Sequence, residues 1–416
     1  MLYISIICLI LLVGIIYLKA DNNKLKIHFF TALIFKLICG AGIGYLYFSY
    51  YRMGDTIQYD QAVHLVLNNI SPSFFNWVSF LIYSDLSFIQ ETLPHVLVES
   101  RSLFFVKILS LLYLISDRSY WISSLYLSLF SFWGAWILVG TVVKYWPDSK
   151  YAGLISFLYF PTIVFWSSGV LKESIAFACI SLIAALFIQW YNGRSFRFLY
   201  FIYIIFLFWM LWSIKYHYAA IMFLSISSGF IFATTYNKFV FTNRYLIFFG
   251  IFFMMALITS IIHPNFHFSN IMDVINSNHI KIIEISKEKN LIKFLPFGTG
   301  IYHFLINIPV SFFGGLFMPF PWQGNSILPK LSGIFNLIIL LLTTYKLVHL
   351  KITPNRINIW MLMAVTYVFI LAIVMAYTTP NFGTLERYKI SYMPFFLFWI
   401  LYEKSIIKRL DGLFGN

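Results

Sequence analysis

Apolar runs of about 20 residues recur along the whole chain, each long enough to cross a bilayer as a helix. They predict membrane helices over about 1–18, 27–50, 120–143, 152–167, 174–191, 196–214, 217–235, 244–262, 330–350, 357–378 and 390–407. The expected fold class is all-α: one polytopic integral membrane domain over 1–416, of about eleven transmembrane helices with juxtamembrane helices on its outer face. Two long loops interrupt the pattern, at about 51–119 and 263–329. Within the first, LFFVKILSLLYLIS (103–116) is too short to span and reads as a helix lying at the interface. A span there would invert every later loop. The second loop carries the charged piece SKEKNLIK, then IYHFLINIPVSFFGGLFMPFPW. That apolar piece predicts another interfacial or re-entrant helix ending at a Pro-rich break. Residues 1–18 lack a basic leader and a small-residue cleavage site, so they read as a retained helix rather than a signal peptide. No internal repeat is visible, which disfavours an inverted-repeat transporter.

Composition sharpens this picture. The chain has 416 residues, 60% hydrophobic and 11% charged, with mean hydropathy +0.81. Soluble domains carry about 25% charged residues, so a soluble enzyme, a disordered chain and a nucleic-acid module are excluded. The formal charge of +14 has a topological origin. Basic residues gather in 19–26, 144–150, 194–197, 238–244, 346–356 and 403–411, while the intervening loops are nearly neutral. The positive-inside rule then puts the N-terminus outside and the C-terminus in the cytoplasm. Cys8, Cys39 and Cys179 all lie in apolar runs and form no metal or disulfide pattern.

The remaining polar chemistry falls on the outer face. In YYRMGDTIQYDQA, Asp55 follows a glycine directly after a span and Asp60 lies five residues on. A carboxylate at the membrane–water boundary serves as a general base or holds a divalent cation. Asp60 equally suits a helix cap, and Arg52 is placed to pair with either carboxylate. In FPTIVFWSSGVLKESIAF, Ser167, Ser168 and Gly169 suit a tight turn, and Glu173 suits a helix N-terminus. Lys172 is unfavourable there as a cation and suits a phosphate at the membrane surface. In TTPNFGTLERYKISYMPFF, Arg387 and Lys389 suit a phosphate and Tyr388 a sugar, although a solvated loop around Glu386 explains them as well. His303 (IYHFLIN) and His217 (KYHYAA) are further candidates that also suit structural roles. His263, His267 and His279 have loose spacing, which argues against a metal site. Asn69-Ile70-Ser71 matches a glycosylation acceptor, a match common by chance.

These pieces together resemble a family. An acidic residue after an early span opens a long outer loop. LLYLISDRSYWISSLYLSLFSFWGAWILV then gives a short helix, a polar turn and a full span. PTIVFWSSGVLKES gives span–turn–span, and ERYKISYMPFFLFWILYE enters a last helix. This order, covering about 50–190 and 380–405, is similar to the membrane-embedded GT-C glycosyltransferases that use polyprenyl-phosphate sugars. The resemblance implies that Asp55 is the catalytic base or a metal ligand, Glu173 a second acidic residue of the site, and Arg387 a contact to the lipid phosphate. Departures are an additional N-terminal span and separated rather than adjacent carboxylates. FWSSGVLKE, PFPWQGN and NFGTLERY also look similar to membrane proteins of bacterial exopolysaccharide clusters, including polymerases.

The leading expectation is sugar transfer on the outer face of a bacterial inner membrane, from a polyprenyl-phosphate sugar to a glycan, lipid or protein acceptor. Asp55 and Glu173 are the catalytic candidates. Asp60, Lys172, Arg387, Tyr388, Lys389 and His303 are the substrate-binding candidates. The sequence identifies no cofactor for certain, and a divalent cation is the one candidate. The alternatives are a polymerase acting on lipid-pyrophosphate oligosaccharides, and a flippase or transporter. The last predicts ionisable residues lining the spans, where Lys36 is nearly the only one.

Overall fold

The computed structural model describes residues 2–19, 23–70, 74–89, 92–195, 198–235, 243–262, 267–296, 300–349 and 359–402. Among these the secondary structure is helical, apart from one isolated bridge between Leu291 and Asn381. Six helices are long and apolar enough to cross a membrane: Phe29–Tyr51, Tyr120–Tyr145, Lys172–Tyr191, Phe198–Thr235, Ile327–Val348 and Ile359–Thr378. Leu2–Leu18, Tyr245–Ile261 and Ile308–Phe317 are apolar but shorter. The chain is an all-α, multi-pass membrane protein.

One expected element takes a different form. The run 152–167 is not one helix. It consists of Lys150–Leu154, a wide π turn over Ile155–Tyr159, and Pro161–Trp166. Pro161 has no N–H to continue the ladder, so the run breaks where it enters. The runs 196–214 and 217–235 are, as expected, two helices, which meet at a kink at Lys215, whose backbone is non-helical (φ −145°, ψ 74°). The interfacial stretch near 103–116 is a helix, Ser100–Ile115, outside the six candidate spans. Arg197, Lys238, Lys351, Arg356, Lys404, Lys408 and Arg409, used for the orientation, lie outside the described residues, as do His263 and Ser71. Lys346 does not mark a free cytoplasmic loop. It is buried in the last turn of Ile327–Val348, donating to the Trp399 carbonyl.

The chain parts into two compact units. The first comprises 1–147, 157–186 and 195–216; the second comprises 148–156, 187–194 and 217–416. In the first unit, small residues let helices approach closely, as in membrane interiors generally. A Cβ on Gly134 would stand 2.7 Å from the Ala178 Cα. Ser124 donates 3.1 Å to the Gly40 carbonyl, and Ser123, Ser128 and Ser131 are likewise fully buried. Asp55–Ile70 packs on Ser100–Ile115, with Tyr59 edge-on to Phe105 at 4.9 Å. In the second unit, Ile308–Phe317 lies against Ile359–Thr378, where Gly315 backs onto the Ala372 backbone. Pro309 and Pro394 sit in the first turns of Ile308–Phe317 and Met393–Leu401, where a missing N–H has no consequence. Asn381 caps Phe382–Tyr388 by accepting from the N–H groups of Gly383 (3.0 Å) and Thr384 (3.2 Å).

Candidate functional site

In the first unit, the turn after Trp166 organises the polar residues. Gly169 adopts φ +71°, and a Cβ there would stand 3.1 Å from the Gly40 carbonyl, so only glycine fits. The turn is bonded from every side. Gly169 N–H donates to Ser128 (2.9 Å), Ser174 donates to the Gly169 carbonyl (2.8 Å) and Ser131 to the Ser167 carbonyl (2.6 Å). Lys36, the lysine within an early span, donates 2.5 Å to Ser167 and lies over the Phe177 ring at 5.0 Å. These contacts make Lys36 a staple of the turn.

The same turn fixes the start of the Asp55 helix. Arg52 (φ 55°) and Gly54 (φ 125°) end the preceding helix, and Asp55 opens the next at its first position, where a carboxylate is favoured by the dipole. Thr56, fully buried, donates 2.9 Å to the Val170 carbonyl and pairs with the Tyr120 hydroxyl at 2.9 Å. Two chain segments more than a hundred residues apart are thereby pinned, one beginning at Asp55 and the other leading into Lys172. Asp55 lies within electrostatic range of the Lys172 ammonium.

Around Lys172 the structure gathers groups that sequence reasoning missed. Its ammonium donates to Ser102 (2.8 Å), lies 3.7 Å from Glu99 and stands over the Tyr59 ring at 5.5 Å. Glu99 accepts from the Ser102 hydroxyl and lies 4.0 Å from the Arg101 guanidinium, which stands over the Tyr216 ring at 4.9 Å. Burial alone would raise the Glu99 carboxyl. The Ser102 hydroxyl and the charges of Lys172 and Arg101 outweigh it and hold that carboxyl below the usual range. Glu173 forms a buried ion pair with Lys215 at 3.1 Å, and Lys215 is the residue at which Phe198–Thr235 breaks. Asp60 is not a cap. It lies on the second turn of its helix, accepts 2.5 Å from Tyr113 and has His64 at 3.7 Å.

The second unit holds the other candidates. Lys389, expected on a surface for phosphate, is buried. It donates to Glu386 (2.7 Å), the Met318 carbonyl (2.5 Å) and Asn336 (3.4 Å). Those three acceptors match the three donors of an ammonium, so Lys389 serves as an internal clamp. Asn336 closes the network by donating to Glu386 (2.8 Å) and the Pro319 carbonyl (3.1 Å). Arg387 is half-buried, with its guanidinium 5.6 Å over the Tyr388 ring, and His217 lies 6.5 Å from the same ring. His303 pairs with the Tyr377 hydroxyl (2.8 Å), which donates to Asn276 (3.2 Å). His279, with a lowered pKa from burial, donates to the Tyr377 carbonyl (2.7 Å) and stacks on the Tyr377 ring at 4.4 Å.

Among the described residues no group of three or more His, Cys, Asp and Glu side chains is placed to hold a metal ion. Comparison of the chain with protein-family models, with curated proteins and with solved structures finds no match.

Proposed function

We propose that this membrane protein is a glycosyltransferase acting on the outer face of a bacterial cytoplasmic membrane. In this reading the chain crosses the bilayer about eleven times, with its N-terminus outside and C-terminus inside. One observation carries the proposal: Thr56 bonded to the Val170 carbonyl brings a carboxylate at a helix start into the same polar cluster as Lys172. A base and a phosphate-binding cation are what transfer from a lipid-phosphate sugar demands.

The donor phosphate rests on Lys172 and Arg101, and its prenyl chain lies along the apolar helix surfaces. Asp55 accepts the proton of an acceptor hydroxyl. That oxygen forms a bond to the anomeric carbon as the carbon–oxygen bond to phosphate breaks, and the lipid phosphate leaves with the electron pair. Configuration inverts. Glu173, neutralised by Lys215, holds the helix opening on which Lys172 stands. Arg387, Tyr388 and His303 belong to the second unit.

The test uses membranes containing the protein and a radiolabelled hexosyl polyprenyl phosphate. Asp55→Asn is expected to lower transfer by about 10²–10⁴-fold, the range for losing a general base, with unchanged amounts of folded protein. The two cations, Lys172 and Arg101, also suit a pyrophosphate, the donor a polymerase uses. Transfer from a lipid-pyrophosphate oligosaccharide but not from the monophosphate donor would select that reading.

A further inference from the structure

We infer that Glu99 is an internal stand-in for the donor phosphate, its carboxylate occupying the anion seat made by Lys172, Arg101 and Ser102 until substrate displaces it. This rests on the glycosyl-transfer reading and adds how the site is kept when empty of donor.

The seat has the chemistry of a phosphate site. It combines a lysine point charge, an arginine fork and a buried serine hydroxyl. The first turn of the 16-residue helix Ser100–Ile115 adds the positive end of its dipole. Into it comes a carboxylate from the residue just before that helix.

The cations hold that carboxylate loosely, and among the described residues its hydrogen bond comes from the Ser102 hydroxyl alone. Both cations stand at 3.7–4.0 Å, beyond hydrogen-bond length, and the Glu99 side chain is 38% exposed. Partly exposed pairs at these separations are weak. Glu99 itself lies in extended backbone (φ −73°, ψ 116°) between His95–Val98 and Ser100–Ile115. Its side chain swings to water without disturbing either helix. A phosphate monoester brings a larger negative charge and three acceptor oxygens to the same donors, so it outcompetes a single carboxylate while free seats stay electrostatically satisfied.

The experiment measures binding of farnesyl phosphate to the full chain, purified in neutral detergent without phospholipid, by thermophoresis. Wild type is expected to bind. Glu99→Gln is expected to bind about fivefold to tenfold more tightly, the affinity gained when two weak competing pairs are removed. Glu99→Ala must move in the same direction, and Lys172→Gln must weaken binding. If wild type binds and both Glu99 variants bind equally or more weakly, the stand-in role is overturned and the phosphate-site reading stands. If neither wild type nor the variants bind, the phosphate-site reading fails and the inference with it. Displacement of the probe by equimolar phosphatidylglycerol overturns the assignment to a donor phosphate in favour of a lipid headgroup.

Discussion

Two lysine–glutamate pairs in this chain have the same chemistry and opposite settings. Lys389 and Glu386 are almost completely buried, 2.7 Å apart, with the remaining ammonium donors taken by Met318 and Asn336. Lys172 and Glu99 stand 3.7 Å apart, and the carboxylate is more than a third exposed. A saturated buried network leaves no donor for a ligand and resists rearrangement, so the first pair is scaffold. A pair whose carboxylate stands partly open can exchange it for another anion, so the second is the one proposed as an anion site. Identity of the residues decides nothing here; the completeness of their hydrogen bonding does.

That contrast breaks most sharply at Glu386. Glu386→Ala leaves the Lys389 ammonium buried without its carboxylate and is expected to destabilise by about 3–5 kcal/mol. Thermal unfolding in detergent reads this. A Glu386→Leu, Lys389→Met double variant should recover much of the loss, because apolar replacement of both partners avoids the unpaired charge. A double variant as unstable as Glu386→Ala would mean that the pair does more than fill its space.

Gly134→Ala tests the packing under the site. Its new methyl meets the Ala178 backbone, and the expected cost is about 1–3 kcal/mol, read as a lower melting temperature. Thr56→Val removes the bonds to Val170 and Tyr120 and should lower stability by about 1–2 kcal/mol. Its diagnostic effect is on transfer: if Thr56 aligns Asp55 with Lys172, the rate falls further than the fraction of folded protein does.

The smallest effect concerns pH. His279 has a lowered pKa in the folded chain, so the unfolded chain binds its proton at higher pH. Stability from this group is present above the ordinary imidazole range and is lost as pH falls below it. The melting temperature should drop between about pH 7 and pH 5, and His279→Gln should flatten that drop. An unaltered profile would remove His279 as its source.

How much of this was legible in the sequence differs between the two pairs. Asp55, Lys172 and Glu173 stand out because they directly flank apolar runs, where a charge is conspicuous. Glu99, Arg101 and Ser102 are ordinary polar residues of a loop until folding sets Ser102 against Lys172, 70 positions away in sequence. Lys215 looks like a loop cation, and its partner Glu173 becomes apparent only when the helix breaks there. Lys389 misleads for the opposite reason: ERYK reads as a solvated run. Its burial depends on Asn336 and the Met318 carbonyl, which local pattern does not bring near. The helix runs themselves were readable from hydropathy. The interruption at Pro161 follows from a local rule, and the break at Lys215 falls between two expected runs.

The proposed site stands on Asp55 doing chemistry beside cations that bind a lipid phosphate. The most direct test compares hexosyl transfer from a radiolabelled polyprenyl-phosphate sugar by wild type and by Asp55→Asn, in membranes matched for folded protein. Wild type is expected to transfer the sugar, and the variant to lose transfer almost completely at the same melting temperature. Transfer by Asp55→Asn at the wild-type rate would contradict it.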